Sequence, residues 1–120
     1  MKILVVDDNP TNRKLASQIL SINGHEVLEA CDGEEGIEIA LSQEPDLVLM
    51  DIQMSGMDGI DALKKIRSEK GFEKIPVIAL TAYAMEGDRE KLLEEGFDDY
   101  ISKPLNISSM MEKIGTYEGR

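Results

Sequence analysis

The sequence predicts an α/β fold, a doubly wound parallel sheet of five strands with five helices, on three observations. Unbroken apolar blocks occur at residues 3–6, 47–50 and 77–80, without the alternation of a sheet that faces water on one side, so they read as strands buried on both faces. Segments with apolar residues at helical spacing separate the blocks, and alternating strands and helices with right-handed crossovers build a parallel sheet. Each block also stops on a polar side chain: Asp7 and Asp8, Asp51, and Thr81. Ligand crevices in open α/β sheets lie just beyond the carboxyl ends of the strands.

The elements follow in order. Residues 3–6, Ile-Leu-Val-Val, are the first strand. Asn9 is a good N-cap and Pro10 a good first helical residue, and Leu15, Ala16, Ile19, Leu20 and Ile22 recur at helical spacing until Asn23-Gly24 ends the helix. Residues 25–30 alternate around Val27 and Leu28, as suits a strand nearer an edge. Asp32 with Glu35 has capping-box spacing, and Ile37, Ile39, Ala40 and Leu41 form the apolar side of the second helix, closed by Pro45. The third strand, 47–50, runs into Asp51. A loop over 52–59 then holds two glycines and a predicted N-cap, Asp58, and the third helix carries Ile60, Leu63 and Ile66 before giving out by Gly71. The fourth strand, 76–80, tolerates Pro76 at its first residue. A fourth helix starting between Met85 and Asp88 uses Leu92 and Leu93 and stops at Gly96. A short strand over 99–102 precedes Lys103-Pro104, and a last helix from about Asn106 to Lys113 is predicted to bury Ile107, Met110, Met111 and Ile114.

Composition narrows the function classes. The 120 residues suit one domain, with no repeat, no low-complexity tract and no run of apolar residues long enough to span a bilayer. A net charge of −11 argues against direct nucleic-acid binding, because phosphate backbones are bound by lysine and arginine. The apolar run at the N-terminus is too short for a signal peptide and ends in two acids, so no membrane association and a cytoplasmic location are expected. Cys31, the single cysteine, excludes an internal disulfide and a multi-cysteine metal site and is expected to be a buried small hydrophobe. His25, the single histidine, is expected at a strand edge or the surface. The methionines are read mainly as core or loop filler, with Met85, Met110 and Met111 as candidates for an adaptable partner surface.

The polar residues at the strand ends carry the chemistry. A parallel sheet gathers Asp7, Asp8, Asp51, Thr81 and Lys103 on one edge. Two carboxylates about 4 Å apart repel by roughly 4 kcal/mol at an effective dielectric near 20, so three together call for a cation or a raised pKa. Oxygen-only ligands with open water positions suit Mg²⁺. A lysine and a hydroxyl beside such an ion are what a phosphoryl group requires, and aspartate is an established nucleophile for that chemistry. A lone Asp after a strand is often a helix cap, the plain reading for Asp8 alone; Asp, Thr and Lys at separate strand ends argue against that reading for the set.

On the motifs Val5-Val6-Asp7-Asp8-Asn9, Leu49-Met50-Asp51-Ile52-Gln53-Met54, Met57-Asp58-Gly59, Leu80-Thr81-Ala82 and Tyr100-Ile101-Ser102-Lys103-Pro104, the chain resembles a response-regulator receiver domain of two-component signalling, from first strand to last helix. The resemblance implies the flavodoxin-like receiver fold with strand order 2-1-3-4-5. It implies Asp51 as phosphoacceptor from the phosphohistidine of a histidine kinase or phosphotransfer protein. Mg²⁺, with Mn²⁺ as a substitute, is implied on Asp7, Asp8, Asp51 and the backbone carbonyl of Gln53. Lys103 would contact the phosphoryl oxygens, Thr81 would move toward them, and Tyr100 would turn inward as the aromatic switch. Gln53, Ala82, Tyr83 and Pro104 occupy modulating positions, and a cis bond before Pro104 is implied. Ser55 stands where the family usually has proline, and Phe97 replaces a commoner small residue.

Two further readings remain. A Mg²⁺-dependent aspartyl-phosphate phosphatase of the haloacid dehalogenase type would use the same parts but wants a second acid two residues after the nucleophile, where this chain has Gln53. The expectation is therefore not an enzyme beyond its own phosphorylation and dephosphorylation. Residues 1–120 are expected to be a receiver with no output domain, acting on a downstream protein target; a receiver excised from a hybrid histidine kinase or a longer regulator is the alternative.

Overall fold

The strands of the computed structural model pair as the apolar blocks predict. The structure describes residues 1–54, 56–82, 86–103 and 105–117, with the backbone alone for 86–89. Ser55, Tyr83, Met85 and Pro104, and with Pro104 the expected cis bond, lie outside the described residues.

The elements are β1 (Lys2–Val6), α1 (Pro10–Ile22), β2 (Glu26–Ala30), α2 (Gly33–Gln43), β3 (Leu47–Asp51), α3 (Gly59–Arg67), β4 (Val77–Thr81), α4 (Glu86–Glu95), β5 (Asp99–Ser102) and α5 (Ile107–Gly115). All pairings are parallel and the sheet order is β2-β1-β3-β4-β5. Strands that face helices on both sides need apolar residues at every position, and β3 and β4 are buried throughout.

The two-residue period of a strand divides the core in two. Ile3, Val5, Leu47, Leu49, Ile78, Leu80 and Ile101 meet Ala16, Ile19 and Leu20 of α1 and Met110 and Ile114 of α5. Leu4, Val6, Val48, Met50, Val77 and Ala79 point to the other face, against Ala40 of α2, Ala62, Leu63 and Ile66 of α3, Leu92 of α4, and Phe97. Each buried Val, Leu, Ile or Met side chain among them contributes about 1.5–3 kcal/mol by leaving water. α2 lies close because Gly36 has no side chain: a Cβ there would stand 2.9 Å from a methyl of Val6.

Capping follows the sequence. Asn9 accepts from the amides of Thr11 and Asn12, Asp32 from Glu35, Asp58 from Asp61 and Asn106 from Ser109. Gly24 and Gly96, predicted helix ends, have φ of 87° and 115°, which the absence of a Cβ permits. Among the described residues no helix is long and apolar enough to cross a membrane.

Several expectations are corrected. Cys31 is exposed, not buried, because β2 ends at Ala30 and the cysteine turns outward into the cap of α2, where its amide donates to Glu35 Oε1 at 3.0 Å. Ile107 is 60% exposed: it is the first residue of α5, on the turn before the helix settles onto the sheet with Met110 and Ile114. Ile22, at the last turn of α1, is 83% exposed, and Leu15 and Leu93 are also exposed. Helical spacing identifies a stripe, but only the part of the stripe above the sheet is covered. Phe97 is buried beside β4, and His25 is half-buried with its Nδ1 3.1 Å from the amino group of Met1.

Candidate functional site

Register builds the site. β1 and β3 are aligned so that Val6 pairs with Met50, and the residues that follow, Asp7 and Asp51, emerge side by side. Asp51 pairs with Leu80 and Thr81 with Ser102, which brings Thr81 and then Lys103 to the same edge. The Lys103 amide donates to the Thr81 carbonyl at 2.8 Å, extending the pairing by one residue.

Asn9, not Asp8, is the N-cap of α1. One carboxylate oxygen from each of Asp7, Asp8 and Asp51 lies within 4.8 Å of the others, the one such acidic group involving these strand ends among the described residues. Asp7 is fully buried, Asp51 is 3% exposed and Asp8 is half-buried. The Lys103 ammonium stands 3.2 Å from Asp51 Oδ2 and 3.4 Å from Asp7 Oδ2. Asp7 Oδ2 is sealed from solvent and has no hydrogen bond, while Asp7 Oδ1 accepts from the Asn9 amide at 2.9 Å. Asp51 Oδ1 accepts from the Gln53 amide at 3.2 Å.

Burial first, then the charge of Asp7, pushes the Asp51 carboxyl up to about 6, with Lys103 pulling the other way. A single lysine does not balance three acids. An all-oxygen donor set and an inaccessible carboxylate oxygen without a hydrogen bond fit a hard divalent cation, which Asp7, Asp8 and Asp51 could hold with water in the remaining positions.

The loop after Asp51 folds back on it. The Gly59 amide donates to the Ile52 carbonyl at 3.0 Å, and a Cβ on Gly59 would run into the carbonyl of Asp51, so only glycine opens α3 at this approach. Gln53 and Ala82 are exposed and Thr81 is buried. Tyr100 is half-buried, with the Lys113 ammonium 5.4 Å from its ring centroid and itself 3.0 Å from Asp99 Oδ1.

Of the predicted residues, the structure brings Asp7, Asp8, Asp51 and Lys103 into one cluster and sets Thr81 on its rim. Tyr100 lies one strand pair back from it, opposite Ala79. A groove of about 670 Å³ opens at the opposite edge of the sheet between Pro45, Phe72 and Pro76. Its acids, Glu44, Asp46 and Glu73, do not converge as a ligand set among the described residues, and a phosphoryl-sized ligand is held by charge more than by concavity.

The family model for the response regulator receiver domain matches residues 3–115. The chain belongs to the response-regulator receiver family. Polar-differentiation response regulator DivK of Brucella ovis is 37% identical over 117 residues, 98% of this chain and 95% of that protein. Chemotaxis protein CheY4 of Vibrio cholerae superposes with a TM-score of 0.91 at 26% identity, over 97% of each chain. The receiver domain of sensor histidine kinase PA1611 of Pseudomonas aeruginosa PAO1, with a magnesium ion coordinated in its active-site cleft, has a TM-score of 0.90 at 34% identity, covering 99% of this chain and 98% of that one. This receiver is thus a two-component signalling protein with the flavodoxin-like fold and an acidic pocket able to take a divalent cation.

One participant was not legible as such in the sequence. Arg13 of α1 donates from Nη1 to the Asp7 carbonyl at 2.8 Å and from Nε to Glu29 Oε1 at 3.2 Å. Its place four residues after the cap Asn9 is the only sequence signal, since that spacing returns a side chain over the helix start.

Proposed function

We propose that this receiver accepts a phosphoryl group on Asp51 from the phosphohistidine of a histidine kinase or phosphotransfer protein, in a Mg²⁺-dependent reaction that Mn²⁺ also supports. The observation that carries the reading is the position of the Asp51 carboxylate, buried and facing the Lys103 ammonium at 3.2 Å within the acidic cluster. Asp51 Oδ attacks phosphorus, the P–N bond breaks, and its electron pair leaves with the imidazole. Lys103 neutralises the phosphoryl oxygens, and Thr81 offers its hydroxyl to one of them. Asp7, Asp8, Asp51 and the Gln53 carbonyl would hold the metal ion, which when bound offsets charge on the transferring oxygens. The Asp51 pKa near 6 leaves the nucleophile mostly ionised at neutral pH.

The new charge, about −1.5 to −2, then draws Thr81 in and turns Tyr100, which alters the face formed by α4, β5 and α5 for a downstream protein partner. Gln53, Ala82, Tyr83 and Pro104, the modulating positions of the receiver motif, tune the phosphate's lifetime on this reading. We place this signalling unit in the cytoplasm, with no direct contact to nucleic acid or membrane; a stand-alone regulator and a receiver belonging to a hybrid kinase or a longer regulator would use the same chemistry. Its catalysis is limited to its own phosphorylation and dephosphorylation.

Acetyl phosphate with Mg²⁺ tests the assignment. The wild type is expected to label stoichiometrically and Asp51→Asn not at all, by intact mass. Stoichiometric labelling of the variant would overturn it, and steady turnover of a phosphomonoester by the wild type would favour a phosphatase.

A further inference from the structure

Asp7 is held at three of its four hydrogen-bonding groups. Its amide donates to the Ala30 carbonyl at 3.1 Å, its Oδ1 accepts from the Asn9 amide at 2.9 Å, and its carbonyl accepts from Arg13 Nη1 at 2.8 Å. Oδ2 alone is left over, buried and without a hydrogen bond, on the side of Lys103.

The carbonyl contact has a consequence for Asp8. The peptide linking Asp7 to Asp8 is a rigid plane, so fixing the Asp7 carbonyl also fixes the Asp8 nitrogen and Cα. Its hydrogen bond partner comes from α1, and the same guanidinium reaches β2 through Glu29. Arginine suits the task because its planar fork satisfies two acceptors at once, and the side chain is only 20% exposed. A surface ion pair between Arg13 and Glu29 would by itself be worth little. The bond to a backbone carbonyl between two metal-ligand candidates is a different matter.

We propose that Arg13 is a positioning residue for the divalent cation: by clamping the Asp7–Asp8 peptide between α1 and β2, it holds the two carboxylates at the spacing the ion needs. The proposal rests on the cation-binding reading above. Partners that orient metal ligands from outside the coordination sphere typically change affinity by about 10–100-fold when removed, and a clamp on the backbone belongs at the lower end of that range.

The test is a Mg²⁺ titration of the unphosphorylated protein, followed by the amide NMR signals of Asn9 and Gln53. Arg13→Met keeps the aliphatic stem and loses the fork, and is expected to weaken binding about tenfold. Arg13→Lys keeps the charge without the fork and is expected to weaken it at least about threefold. The ordering matters because simple repulsion between Arg13 and the ion would make Arg13→Met bind more tightly. A dissociation constant for Arg13→Met equal to or below the wild-type value overturns the proposal, as does a wild-type value for Arg13→Lys, which would show that the fork is not needed. Absence of any Mg²⁺-dependent shift in the wild type would instead remove the cation reading and this role together. Urea unfolding of each variant without metal separates the clamp from general stability: the affinity loss is expected to persist where the midpoint does not move.

Discussion

The two ends of the sheet each set acid against one cation, in different proportion. At the amino end, Arg67 donates to the carbonyls of Glu73 and Gly96 at 2.8 and 2.9 Å and to Asp98 Oδ2 at 2.9 Å. Asp98 Oδ2 also accepts from the Val77 amide at 2.8 Å, so one carboxylate is shared between one guanidinium and one amide. At the carboxyl end, three carboxylates face one lysine and Asp7 Oδ2 keeps no hydrogen bond. The first arrangement balances its one carboxylate with one guanidinium and fastens the end of α3 to the start of β4 and β5, leaving only Arg67 Nε without a hydrogen bond. The second is short of positive charge in a buried place, a condition that costs stability and is kept where a ligand supplies what is missing. Similar residue types thus serve a joint at one edge and a receptor for charge at the other.

The contrast can be broken most forcefully at Asp51. Its folded pKa of about 6 lies above the ordinary 3.8, so the folded state holds the proton more tightly than the unfolded one. Stability should therefore fall as pH rises from 3.8 to about 6 and stay level on this account above it, a loss of about 3 kcal/mol in the absence of metal. Asp51→Asn should remove that slope and be more stable than the wild type at pH 7; urea unfolding at pH 4, 5, 6 and 7 in chelator measures it. A steeper decline in the variant would mean that the carboxyl end is not the source of strain.

Arg67→Met should act in the opposite sense. It leaves Asp98 and two carbonyls short of their donor and is expected to lower stability by about 2 kcal/mol, while Mg²⁺ affinity stays as in the wild type. A change in affinity would mean that the two ends of the sheet are coupled. The smallest effect is expected at Lys113, which pairs with Asp99 and lies over the Tyr100 ring. Partly exposed contacts of this kind are worth about 0.5–1 kcal/mol, so Lys113→Met should shift the unfolding midpoint slightly; a larger shift would place Lys113 with Arg67 as a structural joint.

Much of the site was legible because its residues follow strands. Asp7, Asp51 and Thr81 each come directly after an apolar block, and a parallel sheet has to bring such positions to one edge. Arg13 was not legible, since its two acceptors belong to the preceding loop and to Glu29 on another strand. Cys31 was read as core because cysteine is so often buried, yet it sits one residue past the end of β2. Ile22 and Ile107 have the right spacing and the wrong ends of their helices, where the sheet no longer lies beneath them.

The sequence by itself determined the alternation of elements, their caps and the candidates at the strand ends, because apolar runs, helical spacing and N-cap chemistry are local properties written in consecutive residues. Only the tertiary structure decided that Asp7 and Asp51 share one lysine, that Arg13 reaches the peptide between two acids, and that Arg67 ties α3 to the opposite edge. Those outcomes depend on strand order and register, which join residues distant along the chain, and a distance across a sheet is not encoded in the neighbours of either residue.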